Sequence, residues 1–142
     1  MSPEEVIAIV NGFAGVVAQT PGPGDGSPEI AWGDTFFFYD PDDRESARRM
    51  PFATIVVKDY PGFDESSELD RDGVFRVNVG VGRSRVPRAS GSVDYAAFDV
   101  LLPHPTYAKQ GWVSIVNPGP ASGELLRSLL VEAYERAKSR YR

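Results

Sequence analysis

The 142-residue chain carries 15 Lys and Arg against 20 Asp and Glu, a formal net charge of −5, with no cysteine and one histidine, His104. Those counts exclude a disulfide framework, a thiolate zinc site, an iron–sulfur cluster, a cysteine nucleophile and any metal site built on two histidines. The acidic balance works against unspecific binding to nucleic acid or anionic membrane, and no run approaches the ~20 apolar residues of a membrane span.

The chain opens Met1-Ser2-Pro3-Glu4-Glu5, which lacks the basic region of a signal peptide, so the expected setting is cytoplasmic. Ser2 and Glu5 have the spacing of a capping box and Pro3 suits a first helical position, which predicts a helix ending near Gly12. Gly15 to Gln19 is a candidate short strand. Thr20 to Pro28 holds three Pro and three Gly in nine residues and is expected to be a mobile loop without regular structure.

Ile30 to Tyr39 is predicted as a strand. It ends in four aromatics, Phe36 to Tyr39, which put bulk on both faces, so the second face is either covered or lines a pocket. Asp40 to Met50 is polar, Phe52 to Lys58 is a strand, and Tyr60 to Gly73 is a polar loop. Val74 to Val81 alternates, with Phe75, Val77, Val79 and Val81 on one face and Arg76 and Asn78 on the other. Asp94 to Leu102 is predicted as a helix with Tyr95, Phe98, Leu101 and Leu102 inward. Trp112 to Val116 is a strand, and Ala121 to Arg142 an amphipathic helix with Leu126, Leu129, Leu130, Ala133 and Ala137 on one stripe.

This order predicts an α+β fold: a small antiparallel sheet of four or five strands, with an N-terminal and a C-terminal helix packed on it, in one domain spanning 1–142.

Motifs for known chemistry fail on spacing. Counted from Glu68, a calcium loop would place its bidentate acid at Val79, inside the best strand. Gly22, Gly24 and Gly26 alternate with other residues and lead into no Lys-Ser/Thr helix, and Gly80-Val81-Gly82 has Arg85 where a dinucleotide fingerprint needs glycine. The acids of 59–72 have the composition of a solvated loop. Arg83, Arg85 and Arg88, with no acid among them, are candidate anion-binding residues, and Arg44, Arg48 and Arg49 form a second cluster. Pro103 and Pro105 stiffen the backbone on both sides of His104, which aims its side chain.

Two stretches carry a resemblance. Pro51 to Val56 through Asp59-Tyr60-Pro61-Gly62-Phe63 and Leu69 to Val81, joined by Leu101-Leu102-Pro103-His104-Pro105 and Gly111-Trp112-Val113, resemble an uncharacterised actinobacterial family known only as a domain of unknown function. The resemblance covers nearly the whole chain, departs at Arg83 to Gly91 and implies no catalytic residue. A more distant resemblance in element order is to MmcQ/YjbR-like proteins, which would imply a sheet-and-helix α+β domain.

The reading that follows is a domain that binds rather than catalyses. Trp32, Phe37, Arg76, Asn78, His104, Tyr107 and Trp112 are candidates to line a small-molecule pocket beside the sheet. The alternatives are nucleic-acid or protein binding through the Arg83, Arg85 and Arg88 patch, and a hydrolase using His104 as acid or base. No catalytic residue, metal ligand or cofactor is assigned, a membrane role is not expected, nucleic acid is disfavoured, and the oligomeric state is left open.

Overall fold

The structure is a computed structural model describing residues 1–88 and 91–142. It shows an α+β arrangement with α1 (Pro3–Asn11), β1 (Val16–Gln19), β2 (Thr35–Tyr39), β3 (Ala53–Val56), β4 (Arg76–Gly80), β5 (Leu102–Pro103), β6 (Trp112–Val116) and α2 (Gly123–Arg140). The strands form one antiparallel sheet of six, ordered β1-β2-β3-β4-β6-β5. The expected four or five strands fall short because β5 is only two residues long, too short to show a period. It lies at the sheet edge, where Pro103 costs no ladder hydrogen bond.

Local signals set the helices. Glu5 donates its backbone N–H to Ser2 Oγ at 3.2 Å, while Glu5 Oε1 accepts from the Ser2 N–H at 3.3 Å, so the capping box forms as read. In α2, Leu126, Leu129, Leu130 and Ala133 are buried, and the Tyr134 hydroxyl donates to the Ala14 carbonyl at 2.6 Å. Both helices cover one face of the sheet. There Val6 and Val10 of α1 and the α2 stripe meet Phe37, Ile55, Val77, Val79, Val113 and Ile115. Each such aliphatic side chain contributes roughly 1.5–3 kcal/mol on full burial.

Asp94 to Leu102 is not a helix, contrary to expectation. Asp94 Oδ1 accepts from the Ala96 N–H at 3.0 Å, Phe98 bridges to Val116, and Asp99 sits at φ 59, a left-handed value no α-helical residue holds. Of the apolar residues expected to face inward, Leu101 packs against the core, while Phe98 is 49% exposed. Asp99 caps α2 from a distance: its carboxylate accepts from the Gly119, Ala121 and Ser122 N–H groups and from Ser122 Oγ. The Ser122 hydroxyl, then the backbone donors, lower its pKa to about 2.

The predicted strand at Ile30 to Tyr39 begins only at Thr35. Glu29–Ala31 is a single 3-10 turn, and Gly33 at φ 87 breaks the chain before the strand. Thr20 to Pro28 has no strand or helix, as expected, and its turn is closed by the Asp25 carboxylate, which accepts from the Gly22 and Ser27 N–H groups. No helix among the described residues is long and apolar enough to cross a membrane.

Candidate functional site

The period of two that turns Val77 and Val79 toward the helices turns Arg76, Asn78 and Gly80 to the other face. On that face, pairing register sets Phe36, Thr54, Asn78 and Ser114 side by side across four strands. One row along, Arg76 lies between Val56 and Val116. Asn78 Nδ2 donates to Thr54 Oγ1 at 2.9 Å, and its Oδ1 accepts from Ser114 Oγ and from Arg76 Nε, both at 2.8 Å. The Arg76 side chain is 1% exposed. Its Nη1 donates to Asp64 Oδ1 at 3.0 Å and to Ser67 Oγ at 2.9 Å, and its Nη2 to Asp64 Oδ2 at 2.5 Å. Burial raises the pKa of the Asp64 carboxyl, but the Arg76 hydrogen bonds and charge outweigh burial and hold it below the ordinary value. A charge-compensated, fully bonded polar floor results, with no net charge to offer a ligand.

Above this floor is a cavity of about 400 Å³. Its walls are apolar: Phe36, Met50, Pro51, Val56, Phe63, Tyr107 and Trp112. Phe63 and Tyr107, exposed at the rim, approach to 6.1 Å between ring centroids. Trp112 can lie across β4 because its cross-strand partner is Gly80, where a Cβ would come within 3.2 Å of the indole ring.

His104 enters from the loop after β5 and is 4% exposed. Its Nδ1 accepts from the Thr106 and Tyr107 N–H groups, both at 3.0 Å. The proton therefore sits on Nε2. That atom has no hydrogen-bond partner among the described residues, and the His104 side chain lines the cavity, so Nε2–H is a donor left for a ligand. Burial, and after it the Arg76 charge, lower the His104 pKa to about 3 against the opposing pull of Asp64. His104 is thus a neutral donor near pH 7 rather than a group that exchanges protons there. Its ring resonances should stay constant in an NMR titration from about pH 8 to about pH 4.5, and a midpoint near the ordinary ~6.5 would overturn this assignment. The unfolded chain protonates first, so the His104 contribution to stability is full above pH ~6.5 and is lost as the pH falls toward 3.

Five of the seven candidate lining residues, Arg76, Asn78, His104, Tyr107 and Trp112, meet at this cavity. Phe37 does not: it faces the helices at 0% exposure, and its neighbour Phe36 lines the cavity instead. Trp32 ends the 3-10 turn Glu29–Ala31 and donates its Nε1–H to the Ser27 carbonyl at 3.3 Å, away from the cavity. Asp64, Thr54, Phe63, Met50 and Gln110 line it without having been singled out. The one sequence signal for Asp64 was that an arginine on a strand's second face needs a counter-charge if that face is covered.

The arginine patch is divided. Arg85 pairs with Glu132 at 2.9 Å, while Arg83 and Arg88 flank a shallow groove with Lys109. Arg83–Arg85 form one 3-10 turn, and residues 89 and 90 of the departing stretch lie outside the described residues. Arg48 of the second cluster pairs with Asp40 and Asp43. Among the described residues no three His, Cys, Asp or Glu side chains gather to hold a metal ion.

The model of a family of unknown function, DUF6194, matches residues 1–142. No curated protein and no solved structure matches the chain.

Proposed function

The chain belongs to the DUF6194 family over its whole length, and from the geometry of the cavity we propose that it is a binding module for a small, largely apolar molecule held against the helix-free face of the sheet. The observation that carries this reading is the bonded Arg76–Asp64–Asn78 floor beneath apolar walls. Burying an ion pair rarely adds stability, and a cavity of a few hundred Å³ with few aimed polar groups is the ordinary form of a ligand site. His104 Nε2–H would donate to one acceptor on the ligand, and Tyr107 and Trp112 would pack on its body.

An acid–base role for His104 is the weaker reading, because the group stays neutral until far below pH 7. Binding of nucleic acid through the arginine patch is weaker too, since Arg85 is already paired. The element order supports a distant kinship to MmcQ/YjbR-like proteins but points to no particular ligand, and the acidic, cysteine-free composition fits a cytoplasmic setting.

Binding is tested with 1-naphthol and indole as probes. Each should raise the melting temperature in a saturable way, since a ligand at a hundred times its Kd adds about 2.7 kcal/mol to the native state. In a Trp32→Phe background the remaining tryptophan, Trp112, should report binding by a change in fluorescence. No shift with either probe, together with an unchanged Trp112 signal, would sink the reading.

A further inference from the structure

A second cavity, of about 440 Å³, shares Met50, Pro51, Gln110 and Trp112 with the first, so the two adjoin across the Trp112 wall. Its character is opposite. Arg136 and Arg140 of α2 line it with Arg142, whose backbone carbonyl oxygen accepts from Arg44 at 2.7 Å, and no acidic side chain does. The Arg136 guanidinium lies over Gly82, which has φ +97 and where a Cβ would come within 3.0 Å of Nη1. Among the described residues no carboxylate pairs with Arg136 or Arg140, whereas Arg48, Arg76 and Arg85 each have one. Glu132, one turn before Arg136, is engaged by Arg85.

A neutral, apolar chamber thus opens beside a cationic one with unmatched guanidinium groups. We propose that the ligand is an amphiphilic anion: an aromatic or apolar body in the first cavity, and a carboxylate or phosphate group reaching past Trp112 to Arg136 and Arg140. This rests on the binding reading above. Guanidinium groups suit either anion because their paired N–H donors match two oxygens at once. The carbonyl end of α2 opposes an anion with roughly half a charge, less than two arginines supply.

The test compares 1-naphthol, 1-naphthoate and 1-naphthyl phosphate by calorimetric titration at pH 7.5, where the first is neutral and the others are anions. At least one anion should bind about tenfold more tightly than naphthol, the equivalent of one good charge-assisted contact. That advantage should shrink with added salt and vanish in the double variant Arg136→Gln, Arg140→Gln, whose naphthol affinity should be unchanged. Which anion gains more identifies the group, carboxylate or phosphate. Naphthol binding as tightly as both anions would overturn this inference and leave the binding module standing. An anion advantage that survives the double variant would also overturn it. If none of the three binds, the binding module itself fails, and this inference with it.

Discussion

Asp64→Ala is expected to destabilise the protein by about 3–5 kcal/mol in urea denaturation, the usual cost of leaving one member of a buried ion pair alone. Arg76 would keep its bonds to Asn78 and Ser67 but lose both bonds to carboxylate oxygens, at a site where its side chain is 1% exposed. Replacing both partners, Arg76→Met with Asp64→Leu, should recover most of that loss, because apolar residues of similar volume need no compensation. The fold would then survive while the polar floor of the cavity is gone, so naphthol binding should change in the double variant without a change in secondary structure. The pair also has a pH sign. The Asp64 pKa is lowered in the folded state, so its contribution is present above the ordinary carboxylate range and is lost as the pH falls below it. An Asp64→Ala variant within about 1 kcal/mol of the parent would refute the claim that the pair is buried and mutually dependent.

That floor also marks how far the sequence could be read. Arg76 and Asn78 were legible because strand periodicity sorts residues by face over short range, and both stand opposite Val77 and Val79. Asp64 was not. It comes from a loop without periodicity, and its partner is twelve residues away on a strand. Composition alone made that loop look solvated, yet Asp64 and Ser67 are buried there, and Asp59 holds the Leu69 N–H. Phe36 to Tyr39 announced bulk on both faces but not which aromatic faces which way, since shifting the register by one residue exchanges Phe36 with Phe37. The spacing of Tyr95, Phe98 and Leu101 imitated a helix for a different reason. Asp99 adopts a left-handed conformation to cap α2, and a cap some twenty residues away in sequence leaves no local pattern.

Gly111→Ala is expected to be the other costly change, and its effect should reach both cavities. Gly111 has φ +93, which costs an alanine about 1–2 kcal/mol. An added Cβ would also lie 2.7 Å from Gly82 Cα, 2.8 Å from Gly82 C and 2.9 Å from Arg83 N. These are backbone atoms, and they cannot withdraw freely, because the Val81 and Gly82 N–H groups both donate to the Gly111 carbonyl at 3.0 Å. Overpacking of this kind adds about 1–3 kcal/mol, so the total is roughly 2–5 kcal/mol. Gly62→Ala supplies the control: its φ is +76, but nothing lies within 4 Å of the added carbon, so only the conformational part should appear. The difference between the two variants measures the clash. Trp112 follows Gly111 directly, and Gly82 supports Arg136, so relief of the clash must move the apolar wall and the cationic wall relative to each other. The Trp112 fluorescence of the folded variant should therefore shift, and a Gly111→Ala variant no less stable than Gly62→Ala would show that the close approach of Gly82 and Gly111 does not hold the two cavities together.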